Sequence, residues 1–327
     1  MVSHGIRCLL FWFSRVYPFT FWLNSSPNIK VVDLLFGGVD LGSIERIDLR
    51  SCGSRFAPVR MRFLFQFIIT EGKRMKLLTV GNPKVLKGMD QGYMTYILHL
   101  APANVSGYET CPKRTAGCTL ACLNTAGRGG MFRRGESTNV IQEARKRKTR
   151  LFFENRDAFM ALLVADIELA LKQCSRRGLV PVFRLNGTSD IAWEKYPVVR
   201  NGVEYGNVLL AFPEVQFYDY TKIFGRKVKA YTNYHLTFSW ADGNDSDVAK
   251  AIDAGLNVAV VFGVPKSKPL PVAYAGRPVF NGDDSDLRFL DPKGVVVGLY
   301  AKGKAKKDTS GFVKFPVPVV SVQRLAA

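Results

Sequence analysis

The chain has 327 residues, a net charge of +19 and 47% hydrophobic residues. That length and apolar content exclude a disordered chain and a disulfide-stapled miniature, and they specify a core-forming protein of one large or two ordinary domains. The positive charge points to an anionic partner, such as nucleic acid, a phosphorylated small molecule or an acidic membrane surface, set against a plainly solvated basic exterior.

Residues 1–74 stand apart from the rest. MVSHGIRCLLFWFSRVYPFTFW is apolar and aromatic, but Arg15 and Pro18 interrupt it short of the ~20 apolar residues that a membrane span requires. No small-residue cleavage site follows the run, so it is a poor signal peptide. IKVVDLLFGGVDL and MRFLFQFIIT read as isolated strands, and Met61 and Met75 as alternative starts. The expectation is a poorly patterned extension over 1–74, or a start-site misassignment, ahead of a domain at 75–327.

From Met75 onward strands and helices alternate. The runs at 93–100, 179–186, 215–219, 235–240, 257–262, 278–281 and 294–300 are β-rich, and each closes on polar residues. Helical spacing covers 137–154, with Ser137 as N-cap, and 157–174, where Phe159, Leu162, Leu163, Ile167 and Leu171 share a face ahead of Gly178. A shorter helix is expected at 246–254. This order predicts an α/β protein built as a parallel β/α barrel, partial or irregular because the strands number only six or seven. A doubly wound open sheet is the alternative. In both folds ligand groups gather where the strands end.

The loop after the first of these strands carries Cys111, Cys118 and Cys122, spaced C-x6-C-x3-C, while Cys8, Cys52 and Cys174 are scattered. Clustered cysteine in a reducing compartment points to ligation or redox work, and soft thiolates suit an iron–sulfur cluster or zinc. Three protein ligands leave a coordination position open, for an exogenous group or for His99. A zinc ribbon is disfavoured, because its second C-x2-C knuckle is absent. Three reduced thiols packing a loop is the bland alternative.

Strand ends supply the remaining candidates. In FRLNGTSD, Arg184 and Asn186 alternate with Phe183 and Leu185; in HLTFSW, His235, Thr237 and Ser239 alternate with Leu236, Phe238 and Trp240. Period-two alternation places the polar set on one face, toward a ligand cavity, and the apolar set against helices. Arg184, Asn186, Ser239 and His235 are therefore expected to bind substrate. Asp190, Asp219 and Lys222 are the candidate acid–base groups, since a carboxylate in a cleft has its pKa moved by burial or a nearby cation. Ser189 is expected to cap the following helix, and the GDDSD run at 282–286 to be an exposed acidic turn rather than a calcium loop.

Basic residues flank the cysteines. Arg128, Arg133 and Arg134 lead into Arg145, Arg147 and Lys148, and a second run holds Lys302, Lys304, Lys306 and Lys307. Both are candidate nucleic-acid contacts through phosphate neutralisation. The GRGG turn at 127–130 is suited to cradling a phosphate, but no G-K-[ST] closes it as a Walker loop.

CPKRTAGCTLACLNTAGRG, FRLNGTSDIAWE and FYDYTK together resemble a bacteriophage family, the gene product eighty-eight-like proteins, from about Met75 to near the C-terminus. The resemblance implies phage origin and residence in the host cytoplasm; it implies no activity. A strand, a cysteine loop and a helix opening a β/α barrel are also similar to radical S-adenosylmethionine enzymes. Those carry C-x3-C-x2-C, whereas here Cys118 and Cys122 give the C-x3-C, Thr125 stands at the third position, and the third cysteine lies upstream at Cys111. Two readings follow. One is an iron–sulfur enzyme, with S-adenosylmethionine as a possible co-substrate; the other is a non-catalytic, zinc-stabilised protein that binds nucleic acid.

Overall fold

The computed structural model describes residues 69–70, 73–80 and 83–316. The expected extension therefore lies almost wholly outside the described residues, as do Met61 and the strand expected at IKVVDLLFGGVDL. The strand expected at MRFLFQFIIT is described only at its end, where Ile69–Thr70 pairs antiparallel with Lys73–Arg74.

Ten strands form the main sheet. They are β1 (Leu78–Thr79), β2 (Tyr93–Leu98), β3 (Val180–Arg184), β4 (Gln216–Thr221), β5 (Tyr234–Ser239), β6 (Val258–Phe262), β7 (Ala273–Tyr274), β8 (Arg277–Asn281), β9 (Val296–Tyr300) and β10 (Val313–Lys314). Their spatial order is β7-β8-β9-β6-β5-β4-β3-β2-β1, with β10 added beside β6. Pairings from β2 through β8 are all parallel, and only the edges, β1 on β2 and β7 on β8, are antiparallel.

Strands β2 to β6 march across the sheet in one direction. A doubly wound sheet instead reverses at a switch point, which puts helices on both faces. Here the principal helices share one face. Tyr96, Phe183 and Phe217 are register partners and so lie on the same side. Helix α4 (Arg156–Ser175) packs there, its Cys174 meeting the Tyr96 hydroxyl at 3.7 Å. On the same side, Val248 and Ala251 of α6 (Asp245–Asp253) pack with Phe238, Val258 and Val260. Among the described residues the sheet is an open path with two edges, not a closed barrel.

Helix ends follow local chemistry. Asn139, not Ser137, caps α3 (Val140–Glu154), its side-chain oxygen accepting from Ile141 N and Gln142 N. Its amide also donates to the carbonyls of Gly129 and Met131, so the cap binds the GRGG turn, which Ser137 lies too far upstream to do. Helix α4 begins on Asn155 and ends before Gly178, whose φ of +64° is the left-handed conformation that glycine adopts without strain. The expected face is buried at Phe159, Leu162, Leu163 and Ile167. Phe159 stacks on Trp193 and meets Phe152 edge-on.

One irregularity positions the site. Strand β5 pairs with β6 only through Phe238–Val258 and Ser239–Ala259. Beyond that β10 takes over, with Val313 opposite Val261 and Lys314 opposite Phe262. The C-terminal ends of β5 and β6 thus separate, and the late segment of the chain fills the gap.

Candidate functional site

A cavity of about 740 Å³ lies at the C-terminal ends of the parallel strands. Ile97, Arg184, Tyr220 and Leu299 line it from the strands, and the cysteine loop walls its other side.

Hydrogen bonds fix the loop at both its base and its helix. Thr110 Oγ1 donates to the Ala101 carbonyl at 2.7 Å, and Ala101 N donates to Thr149 Oγ1 on α3 at 2.8 Å, closing the base. Short helix α2 (Ala116–Leu120) is capped by Thr115, which accepts from Cys118 N at 3.1 Å. Asp242, in the tail of β5, accepts from Gly117 N at 2.9 Å, from Cys118 N at 3.2 Å and from the Thr115 hydroxyl. Four hydrogen bonds donated by Cys118 and its neighbours hold that residue against the strand ends. A Cβ on Gly117 would strike Ser310 Oγ and come within 2.6 Å of the Asp242 carboxylate. Gly117→Ala is accordingly expected to cost about 1–3 kcal/mol of stability, as overpacking does, and denaturant unfolding measures it.

All three loop cysteines are free, half-buried thiols that line the cavity. Cys111 Sγ accepts from Ala103 N at 3.5 Å, and burial pushes its thiol up to about 11. Burial raises Cys122 as well, opposed by Asn124 N, Lys222 and Arg145. Cys122 interacts electrostatically with both of the other sulfurs. Among the described residues no three His, Cys, Asp or Glu side chains converge tightly enough to hold one metal ion. His99 also lines the cavity, and burial, with Arg145 second, lowers it to about 3, so the imidazole is neutral.

The strand-end candidates divide into two groups. Asp190, Lys222, Arg184, Asn186 and Ser239 all reach the cavity wall. Asp190 accepts from Thr221 Oγ1 at 2.8 Å and from Lys222 N at 2.7 Å, and burial raises its pKa. Lys222 Nζ donates to Ser239 Oγ at 3.3 Å; burial opposes its charge, but Cys118 and Asp190 outweigh that and raise its pKa. Arg184 pairs with Asp286 at 3.4 Å and covers the Tyr220 ring.

Asp219 and His235 are not among the cavity-lining residues. Asp219 is fully buried on the helix-covered face, accepting from Asn186 N at 2.6 Å, Asn186 Nδ2 at 3.3 Å and Tyr234 OH at 2.9 Å. Its neighbour Arg226 is bound by Glu194 and Tyr234. That network braces the loop behind the cavity and leaves Asp219 out of reach of a ligand. His235 belongs to the cavity-side face of β5, yet its Nε2 is buried with no partner among the described residues. Asn186 touches the cavity, but its side chain is spent closing its own loop through Ile191 N, Ser189 Oγ and Trp193 Nε1. Ser189 therefore donates to Asn186 and caps no helix; the next helical turn, Trp193–Lys195, has no side-chain cap.

The acidic turn is exposed only at Asp284. Asp286 is buried against Arg184 and Tyr218, and Asp283 receives Lys302 at 2.6 Å and Tyr300 N at 3.0 Å. Of the basic candidates, Arg128, Arg133, Arg134 and Arg147 are exposed. Lys148 is buried and donates to the Leu77 carbonyl at 2.7 Å, so it cannot meet a phosphate backbone. Arg145 turns inward to Asn124 Oδ1 at 2.5 Å and lines the cavity. Asp242, Asp286 and the inward role of Arg145 were missed from sequence; the ADGND tail at 241–245 was the one local signal for Asp242.

Fold and site together define an α/β protein with a mostly parallel sheet and a cysteine-walled cavity at its strand ends. The chain belongs to the Gene product 88 family, a phage gene-product family whose model matches residues 75–315. No curated protein and no solved structure matches it. Among the described residues no helix is long and apolar enough to cross a membrane.

Proposed function

We propose that the chain binds an iron–sulfur cluster through Cys111, Cys118 and Cys122 and acts on a substrate in the adjoining cavity, in the manner of a radical S-adenosylmethionine enzyme working in the host cytoplasm. The observation that carries this reading is that all three thiols of one loop line the same cavity as Arg184, Asp190, Lys222 and Ser239. The one-directional winding from β2 to β6 supports a partial barrel as the frame. A cluster suits these sulfurs better than zinc does. Zinc needs its ligands gathered around one point, whereas a cluster takes one thiolate at each of its separate irons.

When bound, such a cluster supplies electrons and, with three protein ligands, an open iron for an exogenous ligand such as S-adenosylmethionine. The chain's own groups supply the rest. Lys222 places an ammonium beside the Cys118 sulfur and offsets negative charge there. Asp190, raised by burial, holds a proton more readily than an exposed aspartate, which suits a general acid. Arg184, locked by Asp286 and Tyr220, presents a fixed cation to substrate.

Anaerobic purification followed by iron, sulfide and zinc analysis tests the proposal. The expected product is brown, with broad visible absorbance and iron matched by sulfide. A colourless protein carrying zinc, with affinity for DNA or RNA that falls steeply with salt, would overturn it in favour of a zinc-stabilised nucleic-acid-binding role.

A further inference from the structure

The charge lining the cavity is lopsided: seven lysines and arginines face three aspartates. The aspartates are engaged within the protein. Asp286 holds Arg184, Asp283 holds Lys302, and Asp190 accepts from Thr221 and Lys222 N. Arg114 is paired with Glu109 at 2.9 Å. Two inner cations remain without a carboxylate at ion-pair distance among the described residues. Lys222 Nζ has Ser239 Oγ, a neutral acceptor, and the Cys118 sulfur. Arg145 has only Asn124, and its Nε is buried with no partner. Both line the cavity together with Cys122. Two half-buried cations on one cavity wall, neither paired with a carboxylate, carry a desolvation cost that an incoming anion relieves.

We propose that the cavity takes a small molecule bearing an oxyanion group, phosphate or carboxylate, seated between Lys222 and Arg145 beside the cysteine loop. At about 740 Å³ the cavity accommodates a molecule of nucleotide size, and Tyr220, Tyr300 and Phe312 give it aromatic wall for the uncharged part. Phe312 lies with its ring 6.0 Å from Lys222 Nζ, so apolar and anionic portions of one ligand are served together. This names the substrate class for the cavity assigned above and rests on that cavity being the working site, but it does not require iron.

Calorimetric titration of the full chain at low ionic strength, with iron quantified in the same samples, tests it. The probes are adenosine monophosphate and succinate, with adenosine as the uncharged control. One or both anions should bind more tightly than adenosine; binding of the nucleotide alone identifies phosphate, and of succinate alone carboxylate. Lys222→Met should weaken anion binding about tenfold or more, the size of one lost charge-assisted hydrogen bond. Lys222→Arg should restore most of it, and exposed Lys306→Met should change nothing. Circular dichroism checks folding, and Arg145→Gln reads the same site should Lys222→Met misfold. Adenosine binding as well as its monophosphate, no binding of either anion, or affinity unmoved in both cavity variants overturns the proposal. Iron-loaded protein that ignores anions sinks this inference alone. Iron-free protein that binds them leaves it standing and sinks the cluster.

Discussion

Cys118→Ala protein, purified without oxygen, is expected to retain less than about a tenth of the wild-type iron and sulfide. Removing an outer partner of a metal ligand already costs roughly 10–100-fold in affinity, and removing a ligand itself costs at least as much. Cys118 is also the most firmly placed of the three thiols, through Thr115 and Asp242. Cys111→Ala and Cys122→Ala should behave alike, because each takes away one of three anchors. Cys174→Ala is the internal control. Its sulfur is buried against Tyr96, on the helix-covered side of the sheet, so the variant should keep its iron while losing some packing. Equal iron in all four variants would falsify ligation by the loop.

The second large effect concerns pH. Burial lifts Asp219 from 3.8 to about 7, against the opposing pull of Asn186 N and Arg226. A carboxyl whose folded pKa lies above its unfolded one adds stability that is fully present below the unfolded value, near pH 4. That stability is lost as pH rises through 7, because the folded state must then give up its proton in a dry site. A shift of this size corresponds to on the order of 4 kcal/mol. Asp219→Asn is close in shape and does not titrate. The stability of wild type minus that of the variant should therefore fall by on the order of 4 kcal/mol between about pH 4 and about pH 8. Urea unfolding across that range measures it. A difference that stays flat would mean that Asn186 and Tyr234 keep Asp219 ionised throughout.

What was legible in the sequence was whatever depends on period and local punctuation. The seven β-rich runs became β2, β3, β4, β5, β6, β8 and β9, with no end displaced by more than two residues. Alternation in HLTFSW sorted Phe238 toward α6 and Ser239 toward the cavity. The clustering of Cys111, Cys118 and Cys122 led to the right wall. Long-range pairing was not legible. Nothing local distinguishes Lys148, which binds a carbonyl 71 residues away, from exposed Arg147 beside it. Asp219 lies inside β4 on its helix-covered face, whereas Asp190, in the loop after β3, reaches the cavity wall. The GDDSD run looked solvent-bound because its partner, Arg184, lies 102 residues earlier.

The insertion of β10 beside β6 has a bearing on biogenesis. Ala121 of the cysteine loop packs against Ala301, Ala305 and Val313, nearly two hundred residues downstream. A ribosome releases the thiols early and their cover late, so a nascent chain shows bare sulfur to its surroundings for most of its synthesis. Loading of any inorganic centre would then fall either to that exposed interval or to a later breathing of residues 301–316, and translation speed becomes a variable in how much finished protein carries one.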